Sequence, residues 1–243
     1  MLTHPTLEKL RSLRLSGMSK ALEEQLNNPE AESLGFLERL GLLIDHEETS
    51  RADRRLTTRL RQAKLRMNAS IEDINYQARR SLDRSVMTSL ATLRWIKEHQ
   101  NIIITGPTGV GKTYIACALA QQACRHEYRA KYQRLPRLLN ELEISKGDGS
   151  YRKTLAALDR MDVIIIDDWG ISNLNDENRR DLLEILDDRY ARRSTIITSQ
   201  LPINKWHAYL DDPTLADAIL DRVTHNAHHL TLSGDSLRRN PKP

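Results

Sequence analysis

Residues 101–113 read Asn-Ile-Ile-Ile-Thr-Gly-Pro-Thr-Gly-Val-Gly-Lys-Thr, an apolar run that passes directly into a glycine-rich loop. The isoleucines at 102–104 predict a buried β-strand, because an apolar run without polar alternation is typical of strands covered on both faces. The loop Gly106–Thr113 matches G-x-x-x-x-G-K-[ST] at every fixed position, and a helical pattern follows over about 112–126. Strand, glycine loop and helix in this order predict a phosphate-binding loop.

The residue types of this loop explain the chemistry that it predicts. Glycines let the backbone curl so that amide N–H groups point at phosphates, and the helix N-terminus adds its positive end. We expect Lys112 to neutralise charge on the β- and γ-phosphates and the Thr113 hydroxyl to ligate Mg²⁺. The predicted nucleotide-binding residues are Gly106, Pro107, Thr108, Gly109, Val110, Gly111, Lys112 and Thr113.

Three further apolar segments follow the loop and alternate with helical patterns. Strands are predicted at 130–135, 163–166 and 195–198. Such alternation is typical of a parallel sheet covered by helices on both faces, which makes the fold class α/β. Asp167 and Asp168 end the second of these strands, where we expect Asp167 to face Mg²⁺ and Asp168 to polarise the attacking water.

The chain before residue 101 has a different character. Its pattern predicts helices over 1–67, including one that begins at Leu34 behind a Ser33 cap and runs on into an arginine-rich block. Residues 70–73 resemble a helix-capping box, and one helix is predicted over 85–98. The predicted organisation is a small helical domain at 1–67, a linker or start of the next module at 68–84, and an α/β domain at 85–243.

Charge is concentrated in the middle of the first 100 residues. Although the 243-residue chain carries only +4 overall, residues 51–66 hold seven basic side chains against Asp53 alone, which is +6. On an α-helix their arginines fall within about 160°, so one face would display guanidinium groups. Planar guanidinium forks suit DNA phosphates; the alternative is a solvated face paired with the acidic segment 45–48. The predicted DNA-binding residues are Arg51, Arg54, Arg55, Arg59, Arg61 and Arg66.

Several protein classes are excluded by composition and motif. No apolar run is long enough to span a membrane, the charged N-terminus is not a secretory signal, and two cysteines predict neither a disulfide scaffold nor a zinc site. A cytoplasmic location is therefore expected. The guanine-reading N-K-x-D pattern is absent, because Asn204-Lys205 is not followed by the required Asp. A nucleoside kinase stays open, although it gives no reason for the basic block.

The motifs taken together resemble a known family. The segments GPTGVGKT, VIIIDDWG, TIITSQLP and LADAILDRV occur in the order found in the AAA+ P-loop ATPases of the DnaC/IstB group. The segments LRLSGM, FLERLGLLIDHE and YQARRSLDR resemble IstB in particular, the ATPase helpers of insertion-sequence transposases. The resemblance covers nearly the whole chain and implies an AAA+ domain. The chain ends soon after residue 232, so the helical lid domain usual in AAA+ proteins is not expected.

The resemblance also implies roles for single residues. Gly106–Thr113 would be the Walker A loop and Asp167-Asp168 the Walker B pair, where the family more often has Glu second. Gln200 matches the polar sensor position, with Ser199 as the alternative. Arg222 matches the arginine finger given to a neighbouring subunit, although a surface ion pair is the plainer interpretation. Arg238 would replace the lid's sensor arginine.

What the resemblance implies about function is an ATPase that hydrolyses ATP with Mg²⁺. It would bind duplex DNA, assemble as a homo-oligomer on it, and recruit or activate a cognate transposase; Lys112, Asp168, Gln200 and Arg222 would be its catalytic residues. Two alternatives stay open: a helicase loader of the DnaC type, and a DNA scaffold that binds ATP with little hydrolysis. No membrane partner is expected.

Overall fold

The computed structural model describes residues 5–77 and 80–237. Arg238 and its predicted sensor role lie outside the described residues. Contacts divide the chain into two compact units, Met1–Thr58, here called the helical unit, and Arg59–Pro243, the sheet unit. This division comes earlier in the chain than the sequence-based boundary at 67.

The helical unit is built from short amphipathic segments. Its elements are α1 (Pro5–Ser12), α2 (Ser16–Asn27), a 3₁₀ turn (Pro29–Ser33) and the first part of α3 (Phe36–Ala63). The prediction that the third helix runs into the basic block is confirmed, although Ser33 ends the 3₁₀ turn instead of capping α3. Since Lys64 has a positive φ of 48° and ends the helix, the prediction that Arg66 continues the helical face is wrong.

Within the helical unit, α2 is anchored on α3 by a buried carboxylate. Leu15 at the N-cap of α2 offers no side-chain cap, and Glu47 of α3 instead accepts from the N–H groups of Gly17 (2.7 Å) and Met18 (3.1 Å). A Cβ at Gly17 would lie 2.6 Å from the His46 carbonyl oxygen. The glycine therefore permits the close approach that brings these amides within reach of Glu47.

The sheet unit follows the predicted alternation of strands and helices. Its elements are α4 (Arg84–Ala91), α5 (Arg94–Lys97), β1 (Asn101–Thr105), α6 (Lys112–Arg125), β2 (Ala130–Arg134), α7 (Leu135–Gly147), α8 (Tyr151–Asp159), β3 (Val163–Trp169), α9 (Asp176–Arg189), β4 (Ser194–Ser199), a 3₁₀ turn (Ile203–Lys205), α10 (Trp206–Leu210), α11 (Pro213–Thr224) and β5 (Ala227–Thr231). The single helix predicted over 85–98 is two helices, because Leu93 adopts a left-handed φ of 61° between them. Ser70 Oγ does accept from the Asp73 N–H, but no helix begins there.

The five strands that the described residues form are parallel, and their order is β2-β3-β4-β1-β5. The predicted parallel sheet is confirmed. β4 lies between β1 and β3, so the loop after β1 and the acidic end of β3 meet on either side of the end of β4. In parallel sheets the carboxyl ends of the strands share one edge, which is where such folds bind ligands.

Helices cover both faces of the sheet, which is why the inner strands β1, β3 and β4 are buried along almost their whole length. Alternate strand residues, including Ile103, Ile166 and Ile197, enter a core shared with α7, α8, α9 and α11. α6 packs on the sheet, and nine of its residues are buried. Among the helices of the described residues, none is long and apolar enough to cross a membrane.

Candidate nucleotide site

The loop between β1 and α6 has the backbone shape that its glycines predict. Gly106 and Gly111 have backbone φ values of 147° and 98°, which residues with a side chain rarely adopt. A Cβ at Gly106 would collide with the Leu232 carbonyl oxygen, and one at Gly111 would lie 2.7 Å from the Arg80 guanidinium. Glycine is therefore required at both positions of this loop, here called the glycine cradle, because a side chain would collide with the segments that pack against the outside of the loop. The cavity beside it measures about 340 Å³.

Lys112 is the first residue of α6 and lies inside the loop. Its Nζ donates to the carbonyl oxygens of Gly106 (2.8 Å) and Pro107 (2.7 Å). Its side chain is 9% exposed, so the ammonium is held within the cradle at the positive end of a 14-residue helix. The Lys112 ammonium and the partial positive charge of the helix N-terminus both suit a bound phosphate.

Asp167 and Thr113 bring an oxygen pair to the base of the cavity. The Thr113 hydroxyl donates to the Asp167 carboxylate, at 3.0 Å from Oδ1 and 3.2 Å from Oδ2. Hydroxyl and carboxylate oxygens are the donors that Mg²⁺ prefers, so the residues present fit a nucleotide-bound magnesium ion. Thr198 of β4 also hydrogen-bonds Asp167, which fixes the carboxylate from the middle strand.

Tyr132 of the edge strand β2 completes the surroundings of Asp167, and the sequence did not indicate it. Its hydroxyl donates to Asp167 Oδ2 at 2.6 Å. Burial, and then the neighbouring carboxylate, raise the pKa of Tyr132 well above its usual value near 10. The phenol therefore stays protonated and remains a donor to Asp167.

Asp168 lies at the cavity but is already engaged by arginines. Its backbone is left-handed (φ 66°), and its carboxylate accepts from Arg134 Nε at 2.6 Å. Arg66 lies within reach of both acids, with NH1 3.5 Å from Asp167 Oδ2 and 3.8 Å from Asp168 Oδ2. The structure thus places Arg66 beside Asp167 and Asp168, the predicted Walker B pair.

The end of β4 decides between the two candidate sensor residues. Gln200 Oε1 accepts from the Thr108 hydroxyl of the phosphate loop at 2.8 Å, and Gln200 lines the cavity. Ser199 is 1% exposed and its hydroxyl donates to the Trp169 carbonyl. Gln200 therefore faces the site and Ser199 does not; the sensor role of Gln200 stays a prediction.

Residues that follow β5 lie against the phosphate loop, an arrangement that the sequence did not indicate. The Leu232 N–H donates to the Thr105 carbonyl (2.8 Å) and the Leu237 N–H to the Gly109 carbonyl (3.0 Å). From the other direction, buried Arg80 donates to the Val110 carbonyl. Two segments remote in sequence thus fix the loop from outside.

Arg222 lies at the opposite edge of the sheet. Its backbone carbonyl accepts a hydrogen bond from the side chain of Asn101, the first residue of β1. The phosphate loop follows the last residue of β1, at the other end of the strand. Its guanidinium donates to Asp187 at 2.7 Å. Within one chain, Arg222 is therefore apart from the cradle and forms the surface ion pair of the plainer interpretation.

The predicted DNA-binding arginines divide into separate environments. Arg59 is the most enclosed: its side chain is 14% exposed and donates to the Cys124 carbonyl at 3.0 Å. Arg51 and Arg54 pair with Glu47 at 2.7 and 3.4 Å, so part of the pairing with the acidic segment is present. The exposed arginines of α3 are Arg51, Arg54, Arg55 and Arg61.

Two solved structures share this arrangement of strands and helices. The structure of DnaI superposes with a TM-score of 0.59 and 21% identity, covering 68% of this chain and 91% of its own. The structure of the DnaC helicase loader gives 0.55 and 22%, covering 70% and 99%. At these identities the likeness concerns the fold alone, and it confirms the predicted parallel α/β architecture.

Sequence relatives identify the family. A relative from Sinorhizobium fredii (strain NBRC 101917 / NGR234), named as an insertion sequence ATP-binding protein, is 52% identical over all of this chain and 99% of its own. One from Mycobacterium tuberculosis, named as an ATP-binding protein in an insertion sequence, is 32% identical over 96% and 94%. The family model of the IstB-like ATP-binding protein matches residues 8–243. The resemblance seen in the motifs is confirmed, and this chain belongs to the IstB-like ATP-binding proteins.

Proposed function

We propose that this protein is an ATPase that binds duplex DNA, assembles on it as a homo-oligomer, and recruits or activates the transposase of an insertion sequence. The observation that carries the proposal is the meeting of Thr113 and Asp167 beneath the glycine cradle, in a chain whose relatives are named for insertion sequences. Those relatives favour a transposition helper over a helicase loader, with which the chain shares only a fold. A transposase reading frame beside the gene would support the same choice.

The chain's own residues divide the work of nucleotide binding. The loop amides and Lys112 would hold the phosphates, Thr113 and Asp167 would hold Mg²⁺, and Gln200 would contact the nucleotide from β4. The magnesium ion, when bound, supplies neutralisation of phosphate charge. Asp168 would orient the attacking water once its carboxylate is released from Arg134.

Slow hydrolysis is a second candidate that one observation favours. Asp168 is one methylene shorter than the Glu more common in the family, and its carboxylate is engaged by Arg134 at 2.6 Å. A carboxylate held by an arginine side chain cannot orient an attacking water until that contact opens. The scaffold that binds ATP with little hydrolysis therefore remains the alternative to a fast ATPase.

DNA binding is proposed for the exposed arginines of α3. No base-reading motif is evident in the sequence around them, so the proposed contacts are to phosphates and independent of sequence. Arg59 is removed from this set, because its guanidinium is bound to the Cys124 carbonyl.

The experiment is duplex-DNA binding by the full chain across a salt series, with and without ATP. The double variant Arg55→Gln/Arg61→Gln should flatten the slope of log K against log[salt] by up to about 1.8 per subunit, at about 0.9 for each lost phosphate contact. The loss should be equal on unrelated sequences, with the assembly state held fixed.

Arg152→Gln/Lys153→Gln provides the matched control. Both residues are exposed on α8, and substituting them removes the same charge as the α3 variant does. Because α8 is not part of the proposed DNA-binding surface, this variant should keep the wild-type slope. Equal slopes for wild type and the α3 variant would contradict phosphate binding by α3. Loss of ATP-dependent binding in Lys112→Ala, with ATP-independent binding retained, would tie assembly to the nucleotide site.

A further inference from the structure

A second basic groove lies on the sheet unit, beside the phosphate loop. It measures about 370 Å³ and is formed by residues that follow α3, by the edge strand β2 and by the first turns of α7. Its charged side chains are Lys64, Arg66, Lys131, Arg134, Arg137 and Glu141. Five cations and one carboxylate thus line the groove, and two of the cations, Arg66 and Arg134, also reach the acids of β3. The sequence did not indicate this, because the cations come from three separate segments.

The charge of this groove is not balanced by its own residues. Glu141, its one carboxylate, accepts from the Gln133 side chain at 3.0 Å. Burial, and then the nearby Lys64 charge, lower the pKa of Lys131. A partly buried ammonium therefore lies near a second cation, with Glu141 as the one opposing charge, and an anion bound in the groove would stabilise its charged form.

Two arginines join this groove to the nucleotide site. Arg66 and Arg134 line both the groove and the cavity of the phosphate loop. Arg134 is bound to Asp168 and Arg66 lies 3.5 Å from Asp167. A ligand in the groove would thus be one guanidinium away from the Walker B pair.

We propose that this groove binds a backbone phosphate of duplex DNA, an inference that rests on the DNA binding proposed above. The chemical class is a phosphodiester, for which planar guanidinium groups provide two donors at once. DNA is favoured over an acidic protein because the groove begins at Lys64, directly after the arginine-rich helix proposed to follow the DNA backbone. Lys131 and Arg137 are the contacts that belong to the groove alone.

The test compares Lys131→Gln/Arg137→Gln with wild type in the same salt series, using a fluorescein-labelled duplex of arbitrary sequence. Losing one phosphate contact should flatten the slope by about 0.9 per subunit, which at 0.15 M salt is about a fivefold loss of affinity. The Arg152→Gln/Lys153→Gln control should behave as wild type. Arg137→Gln alone, a change of one exposed side chain, should give a partial effect if the double variant fails to fold.

Three outcomes are distinguishable. If the folded groove variants keep the wild-type slope while the α3 variant has a flattened slope, the proposal that the groove binds DNA is overturned and the proposed function is unaffected. No duplex binding by the wild type overturns the proposed function itself. The affinity for a fluorescent ATP analogue should be unchanged in the groove variants; a loss there would assign the groove to nucleotide phosphate and overturn its assignment to DNA.

Discussion

The two units of this chain differ most in how far their apolar side chains are buried. In the sheet unit, residues from β1, β3, β4 and the helices on one face form a continuous buried core that includes Leu182 at 0% exposure. In the helical unit, Phe36 and Leu37 of α3 are 77% and 78% exposed. The sheet unit therefore has its own source of stability, whereas the helical unit displays apolar surface of the kind that marks association.

The largest expected effect concerns whether the sheet unit of one subunit can hydrolyse ATP without a neighbouring subunit. If Arg222 acts on the nucleotide of a neighbouring subunit, Arg222→Ala should keep ATP binding and lose hydrolysis by about 10³- to 10⁵-fold. Mixing it with Asp168→Asn subunits should restore part of the activity, because one composite site then has both groups intact. Phosphate release measured over a range of mixing ratios checks this.

The control for that experiment is Arg192→Ala, an exposed arginine after α9 at the same edge of the sheet. It should hydrolyse ATP as wild type does. Absence of rescue at every mixing ratio would show that Arg222 serves its own chain, through its pair with Asp187.

A matched pair of leucines tests the comparison of the units directly. Leu182→Ala should destabilise the sheet unit by about 2–5 kcal/mol, because it leaves a cavity in a packed core. Leu37→Ala should change the free energy of unfolding by no more than about 0.5 kcal/mol. Urea unfolding followed by circular dichroism measures both; equal losses would show that Leu37 is buried in solution, as in an assembly.

The smallest expected effect concerns the carboxylate that holds the helical unit together. A hydrogen bond from Arg51, and then the amides of Met18 and Gly17, lower the pKa of Glu47 below its usual 4.5. Its contribution to stability is thus complete above pH 4.5 and is lost as the pH falls through the lowered value. Glu47→Gln should cost about 1 kcal/mol at pH 7 and flatten the acid limb of the stability curve.

Glu48→Gln is the control for this prediction, because Glu48 is exposed beside Glu47. It should keep the wild-type acid limb. Parallel curves for wild type and Glu47→Gln would show that the carboxylate does not carry the pH dependence of the helical unit.

The parts of the site that sequence predicted are those set by local rules. The glycine loop, Lys112 and Thr113 follow from a contiguous motif, and Asp167 from its place at the end of a buried strand. Tyr132 and Arg134 could not be predicted, because they reach the site only when β2 pairs with β3. Arg66 was misplaced because the left-handed backbone at Lys64, which ends α3, has no glycine to mark it.

The strand order also fixes when the phosphate loop can form during synthesis. β1 needs β4 and β5 as neighbours, and the loop after it is held by Leu232 and Leu237, all of which leave the ribosome long after the loop itself. Pairings between such distant segments are slow to close. A nascent chain that stops before Leu232 has the motif but lacks these supports, so the nucleotide site is among the last features of the sheet unit to be completed.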